Sequence, residues 1–447
     1  MTTATINSAG PWRARAGGSL SGRIRAPGDK SISHRAVLMG ATASGRTRIR
    51  GLLEGEDVLR TAAAMRALGA AVERNRGPAG PVWGIEGGAW RAPDRPLYFG
   101  NSGTGVRLAM GAVAGAGVSA RFEGDASLRA RPMGRVLEPL RAMGLKAQSR
   151  DGRLPVAIDA GGPLRAIDYA LPTPSAQVKS ALLLAGLGAA GMTIVREPVL
   201  CRDHTERMLA AFGANLEIAD KDGVRTIAVE GGQRLTAAEI NVPGDPSSAA
   251  FPVVAALITP GSDVIVENVL INSLRIGLYK TLLEMGADLA FENERVENGE
   301  PVADIRARHS ALEGVTVPAE RAASMIDEYP ALSVAAAFAD GETLMQGIGE
   351  LRVKESDRLT ACEAGLEAAG VAVESGPDWL RVIGDGAPAK GGARIETQFD
   401  HRIAMSFLVM GLAAREPVEI DDGAMIATSF PGFLPLMKQL RADLGMN

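Results

Sequence analysis

Six times along the chain a short polar cluster runs into about a dozen small and apolar residues. The first is "PGDKSISHRAVLMGATASG", from Pro27. The others are "GNSGTGVRLAMGAVAGAG" from Gly100, "PTPSAQVKSALLLAGLGAAG" from Pro172, "PGDPSSAAFPVVAALITPG" from Pro243, "ASMIDEYPALSVAAAFADG" from Ala323 and "TQFDHRIAMSFLVMGLAA" from Thr397. A helix that is apolar all round is buried on every side. With Pro27, Asn101, Ser175, Asp245, Asp327 and Asp400 as markers, the steps are 74, 74, 70, 82 and 73 residues. In the same frame an amphipathic helix recurs, ending at Gly69, Gly144, Gly213, Gly286 and Gly370, and an alternating strand follows each. Glycine after the last periodic residue is a left-handed helix stop. "GFLPLMKQLRADLG" is a sixth copy at the C-terminus. The repeat is therefore apolar helix, strand, amphipathic helix, strand. Six copies make two groups of three, each copy with one helix inside and one outside.

The same frame locates the domain boundary. "PGD" occurs at Pro27 and again at Pro243, each after a strand-like segment, "SGRIRA" and "AAEINV". Two such turns predict a hinge near 26–28 and 242–245. One lobe is then 27–242, and the other is 1–26 plus 243–447, completed by the N-terminal strand.

Bulk properties narrow the class. Of the 447 residues, 46% are hydrophobic and only 4% aromatic, so Ala, Gly, Leu and Val carry the core and favour an α/β architecture. A net charge of −4 argues against broad nucleic-acid binding but permits a locally basic cleft. Cys201 and Cys362 are far apart and in no metal spacing, which fits a reducing cytoplasm. His34, His204, His309 and His401 form no metal motif, so no metal is expected. The first residues, "MTTATINSAGPWRARAGG", lack an apolar leader core, and no apolar run is long enough to span a membrane.

Candidate chemistry concentrates at the helix mouths. The first turn of a buried helix has unpaired N–H groups and a partial positive charge, a ready anion site. The mouths hold Lys30, Ser31, Arg35, Asn101, Thr104, Arg107, Ser175, Gln177, Lys179, Asp327, Glu328, Asp400, His401 and Arg402. Capping accounts equally well for Ser31, Asn101, Ser175 and Asp400 taken singly. Lys and Arg oppose the dipole there, so their recurrence points to a bound anion. Outside the mouths, "DASLRARPMGRVLEPL" places Arg129, Arg131 and Arg135 beside a proline that starts a helix. "ELRVKESDRLTA" places Lys354, Glu355 and Arg358 on one helical turn. There the alternative is a solvated salt-bridged face, and "CRDHTERM" with Arg202 is equally open. "GNSGTGVR" lacks the ending of a phosphate-binding loop, and no nucleophile elbow occurs.

The ordered set "PGDKSISHR", "GNSGTGVR", "RPMGRVLEPL", "SAQVKSALLLAGL", "VPGDPSSAAFP", "SMIDEYP", "RVKESDRL" and "DHRIAMSF" resembles the 5-enolpyruvylshikimate-3-phosphate synthase family, from about residue 20 onward. "RDHTERML" and "SMIDEYP" resemble the bacterial branch with glyphosate-tolerant members. The resemblance implies an α/β fold of two lobes, each of three βαβαββ repeats with buried parallel helices and sheets around them, closing on substrate. It implies a cytoplasmic monomer that needs no metal or cofactor. The implied reaction transfers the enolpyruvyl group of phosphoenolpyruvate to the 5-hydroxyl of shikimate 3-phosphate, releasing phosphate.

The resemblance also distributes roles. Asp327 is the base for the hydroxyl, Glu355 handles the methyl-carbon proton, and Lys30 contacts both substrates. Shikimate 3-phosphate is held by Lys30, Ser31, Arg35, Ser175, Ala176, Gln177, Arg202, Asp327 and Lys354. Phosphoenolpyruvate is held by Lys30, Asn101, Gly103, Thr104, Arg131, Gln177, Arg358 and Arg402, with arginine suited to bidentate anion binding. Ala176 stands where many members have Ser, and Ser429 lies in a segment where many carry Lys. Gly103 stands where tolerant members often have Ala, which predicts sensitivity to the inhibitor glyphosate. The alternatives are the UDP-N-acetylglucosamine enolpyruvyl transferase, which needs a cysteine in a "PGGC"-like loop absent here, and a non-catalytic anion binder, which Asp327 and Glu355 would only weaken.

Overall fold

The computed structural model describes residues 10–78, 80–159 and 161–446; residues 1–9, part of the segment without an apolar leader core, lie outside the described residues. The six apolar stretches are helices: Lys30–Thr42, Gly103–Gly115, Ala176–Gly186, Pro246–Ile258, Tyr329–Ala337 and His401–Gly411. All residues of Pro246–Ile258 are buried, as an all-round apolar helix requires. No helix among the described residues is long and apolar enough to cross a membrane.

The outer helices Glu56–Ala67, Gly134–Ala142, His204–Ala211, Gly277–Glu284 and Arg358–Ala368 stop as their sequence predicts. Gly69, Gly144, Gly213, Gly286 and Gly370 all have positive φ, between 78° and 111°. In the sixth copy the helix Phe433–Gln439 is followed by Arg441 at φ 70°, so a residue with a side chain takes the left-handed place.

Each helix pair belongs with a four-stranded sheet, and the six sheets share one plan. Around the second buried helix, Leu97–Tyr98 runs parallel to Ala120–Glu123, which pairs antiparallel with Arg153–Asp159, which pairs antiparallel with Lys146–Arg150. The repeat is thus βαβαββ. Two copies exchange their first strands. Ser21–Arg25 precedes the first buried helix but pairs in parallel with Asp263–Leu270, which follows the fourth. Glu239–Asn241 precedes the fourth but pairs with Arg46–Arg50, which follows the first. Trp12–Ala14 pairs antiparallel with both Val418–Ile420 and Leu444–Met446 and completes the sixth sheet.

The described chain forms two compact units. One holds residues 10–27, 243–296 and 301–446, and the other holds 28–242 and 297–300. Residues 297–300 link the strands Asp288–Glu297 and Glu300–Arg308 yet group with the second unit, a division finer than the two Pro-Gly turns suggest. There Asn298 accepts from the Asn241 N–H at 2.8 Å and donates to the Glu239 carbonyl at 2.9 Å. Gly28 is obligatory at its boundary, because a Cβ would lie 1.9 Å from the Gly51 carbonyl oxygen.

Within unit 28–242 the buried helices pack backbone to backbone. A Cβ on Gly111 would lie 2.2 Å from the Ala181 oxygen, and one on Gly115 would lie 2.6 Å from the Leu184 oxygen. The contacts advance together along both helices, so Gly103–Gly115 and Ala176–Gly186 run parallel. Their N-termini therefore open at the same end.

Candidate active site

In unit 28–242 three helix mouths are cross-linked by polar side chains. Asp29 caps the first helix by accepting from the Ile32 N–H at 2.7 Å, and Ser102 caps the second by accepting from Gly105 at 3.2 Å. Ser31 and Asn101 are therefore not the caps. Both Asp29 and Ser102 stand just outside the first helical residue, where a short side chain reaches an unpaired N–H of the first turn. Ser175 does cap the third helix, accepting from Val178 at 3.4 Å.

With Ser102 as the cap, Asn101 is available to accept from Arg131 Nη2 at 2.6 Å. Arg131, 8% exposed, ends the short helix Ala126–Ala130. The expected proline start of the next helix is displaced to Gly134, two residues beyond Pro132. Gln177 donates to Thr104 Oγ1 at 3.0 Å and accepts from Arg107 Nη1 at 2.7 Å, while Arg107 Nη2 donates to the Pro132 carbonyl at 3.0 Å. Gly103 fits beneath two guanidinium groups: a Cβ would meet Arg131 Nη1 at 3.0 Å and Arg107 Nη1 at 3.2 Å. Lys30, partly buried, lies 3.4 Å from the Asp57 carboxylate.

Arg35 sits deeper than its neighbours. It is 2% exposed and donates to Thr205 Oγ1 at 2.7 Å, Ser180 Oγ at 2.8 Å and the Ser31 carbonyl at 2.9 Å. It thereby ties the mouth of the first helix to the third helix and to the helix His204–Ala211. His34 bonds Thr61 Oγ1 through Nδ1 at 2.8 Å and lies 3.5 Å from Ser102 Oγ. Burial pushes its pKa down to about 3, and the charges of Lys30 and Arg35 add to that. It is neutral, a bridge between mouths. Ala176 opens the third helix, and Arg202 lies on the loop before His204–Ala211.

In the other unit the mouths carry carboxylates. Arg358 is fully buried, and its guanidinium is shared by three acids. It lies 2.8 Å from Asp400, 3.3 Å from Asp327 and 2.6 Å from Glu355. Burial alone would lower its pKa, but the three carboxylates outweigh this and raise it, so the cation is permanent. Burial would conversely raise Asp400, and Arg358 overrides that and holds it below the usual carboxylate range. Asp400 also caps the sixth helix, accepting from Arg402 N–H at 2.9 Å, and accepts from Ser356 Oγ at 3.1 Å.

The helical turn expected over Lys354, Glu355 and Arg358 is not formed. A 3-10 helix ends at Val353, and the α-helix begins at Arg358 because Asp357 caps it, accepting from Thr360 at 3.0 Å. The Glu355–Arg358 pair forms across a loop instead. Asp400 had read only as a mouth residue and Ser356 carried no signal; both join the site through contacts more than 40 residues away in sequence.

Among the described residues, Asp203, His204 and Glu300 place potential metal-ligating atoms within 4.8 Å of one another. Arg207 already bonds that cluster, 2.8 Å from Asp203 and 3.7 Å from Glu300. A guanidinium supplies the positive charge there, and the group reads as an ion-pair network anchoring residues 297–300.

Repeats with this topology, whose buried helix mouths carry hydrogen-bond donors in one unit and acids around an arginine in the other, fit an enzyme that handles anionic groups. The comparisons with known proteins agree. Residues 14–437 match the family model of EPSP synthase (3-phosphoshikimate 1-carboxyvinyltransferase). A 3-phosphoshikimate 1-carboxyvinyltransferase of Phenylobacterium zucineum is 59% identical over 433 residues, covering 96% of this chain and 95% of that one. One from Parvibaculum lavamentivorans is 56% identical over 445 residues, covering 99% of each. The solved EPSP synthase of Acinetobacter baumannii superposes with a TM-score of 0.85 at 44% identity, covering 98% of this chain and all of that one. The enolpyruvyl transferase NikO from Streptomyces tendae, at 21% identity and TM-score 0.74, shares the fold. The chain belongs to the EPSP synthase family and is a transferase.

Proposed function

We propose that this chain transfers the enolpyruvyl group of phosphoenolpyruvate to the 5-hydroxyl of shikimate 3-phosphate, with proton transfer assigned to the acids around Arg358. The observation that carries this is the buried Arg358 with Asp327, Glu355 and Asp400 around it. A pure anion binder gains nothing from three carboxylates. An addition–elimination reaction uses acids to move its protons. The hydroxyl loses its proton, the methylene carbon of phosphoenolpyruvate gains one, and the carbon–oxygen bond forms. Loss of a methyl proton and of phosphate then restores the double bond. Asp327 takes the hydroxyl proton, and Glu355 gives and recovers the carbon proton, within the usual scope of general acid–base catalysis. Lys30 neutralises charge on the departing phosphate.

Phosphoenolpyruvate is held by Lys30, Asn101, Gly103, Thr104, Arg131, Gln177, Arg358 and Arg402. Shikimate 3-phosphate is held by Lys30, Ser31, Arg35, Ser175, Ala176, Gln177, Arg202, Asp327 and Lys354. The amide pinning of Gln177 between Arg107 and Thr104 supports its place next to both substrates. The enzyme works as a cytoplasmic monomer of the branch that includes glyphosate-tolerant members. The space above Gly103, bounded by Arg131 and Arg107, supports glyphosate binding here, and Gly103→Ala should weaken inhibition. An unchanged inhibition constant contradicts that assignment. The reaction itself is tested by phosphate release from phosphoenolpyruvate, which should require shikimate 3-phosphate. Release with a nucleotide sugar in its place would favour the other enolpyruvyl transfer.

A further inference from the structure

The loop between the strand Met192–Glu197 and the helix His204–Ala211 carries Arg202 and has no regular structure of its own. Its apolar side chains do not anchor it: Val199 is 48% exposed and Leu200 38%. The anchor is polar and comes from beneath. Lys179, two residues after Gln177 on the third buried helix, is fully buried. Its ammonium donates to Glu197 at 2.9 Å and to the Cys201 carbonyl at 3.2 Å, and it pairs with Glu206 at 2.7 Å. The Cys201 thiol donates to the other Glu197 oxygen at 2.7 Å.

An ammonium has three N–H donors. Here one goes to the last residue before the loop and one to the carbonyl of the residue preceding Arg202, and the charge also pairs with Glu206 in the first turn of the following helix. Two buried carboxylates against one ammonium is an expensive arrangement, and burial pushes the Glu206 carboxyl up. Apolar residues of similar volume commonly stabilise a core as well as or better than buried ion pairs do. What apolar residues cannot supply is a directional bond to the Cys201 carbonyl.

We propose that Lys179 is a positioning residue for shikimate 3-phosphate binding: through Glu197, Cys201 and Glu206 it fixes the backbone that presents Arg202. The inference rests on the assignment of Arg202 to that substrate. The test is a double-mutant cycle on the full-length enzyme with Lys179→Met, Arg202→Ala and the pair, reading kcat, both KM values and the melting temperature. Arg202→Ala should raise the KM for shikimate 3-phosphate by about tenfold or more, the loss of a charge-assisted contact. Lys179→Met should raise the same KM by about threefold to tenfold, leaving kcat and the phosphoenolpyruvate KM within about twofold. In the Arg202→Ala background Lys179→Met should add nothing. Should Lys179→Met fail to fold, Glu197→Gln keeps the shape of the loop anchor, and its smaller KM increase should likewise vanish in the Arg202→Ala background. A wild-type KM in Lys179→Met, effects that multiply in the double variant, or equal rises in both KM values would overturn the inference. A wild-type KM in Arg202→Ala would instead overturn the assignment on which it rests.

Discussion

The helix mouths of the two units share one scaffold and differ in what surrounds their cations. In unit 28–242, Arg131 and Arg107 bond the neutral amides of Asn101 and Gln177. In the other unit Arg358 bonds three carboxylates. An amide partner orients a guanidinium without itself cancelling its charge. Carboxylate partners neutralise it, and in return it holds them in place. The first environment presents cationic side chains to an anion, and the second gathers acids able to exchange protons. The same repeat serves both because the buried helix supplies only its polarised end, and the few residues at the mouth decide the chemistry.

Four substitutions probe this contrast, the largest effect first. Arg358→Met leaves three acids without their shared cation, and removal of one partner of a buried pair typically costs about 3–5 kcal/mol. Thermal unfolding should show that loss together with loss of turnover; a variant as stable as wild type would mean the acids are not held by Arg358. Glu355→Gln keeps the size and bonding reach of the side chain. It should lower kcat by about a hundredfold to ten-thousandfold with little change in either KM, the pattern of a lost acid–base group. Arg131→Ala acts on the binding side. Steady-state kinetics should show an increase of about tenfold in the phosphoenolpyruvate KM, with kcat much less affected.

The last probe is read in stability rather than in turnover and concerns His34, which bridges two mouths in neutral form. Its folded pKa near 3 lies below the ordinary value of 6.5, so the unfolded chain takes up the proton first as acid is added. The stabilisation is complete above about pH 6.5 and is lost as pH falls toward 3, on the order of a few kcal/mol across the range. Denaturant titrations of His34→Gln between pH 7 and 4 should show a shallower decline than wild type. Parallel curves would show that His34 does not titrate with unfolding.

Much of this was legible in the sequence because it is local. A buried helix with its polar mouth, and an outer helix with its glycine stop, are each written within about 20 residues; all six buried helices form where the pattern predicts, and five outer helices end at their glycine. What was not legible is pairing at long range. The Pro-Gly turns place the N-terminal strand with the second lobe, but nothing near Ser21–Arg25 picks out the strand after residue 262 as its partner. Nothing in "VKESDRL" shows that Arg358 belongs with Asp400. Short-range competition was misjudged where several capping residues stood together. Asp29 prevailed over Ser31, Ser102 over Asn101, and Asp357 ended the helix expected through Lys354. Lys179 left a trace, a cation within an apolar helix, but its partners Glu197 and Glu206 lie 18 and 27 residues further on.

The central claim is that the acids around Arg358 move protons and do not merely bind. Asp327→Ala separates the two most directly when its calorimetric binding of shikimate 3-phosphate is measured beside its phosphate release from phosphoenolpyruvate. The account predicts that the variant still binds shikimate 3-phosphate, within about tenfold of wild type, and releases phosphate at least about a hundredfold more slowly. Phosphate release at the wild-type rate would contradict it.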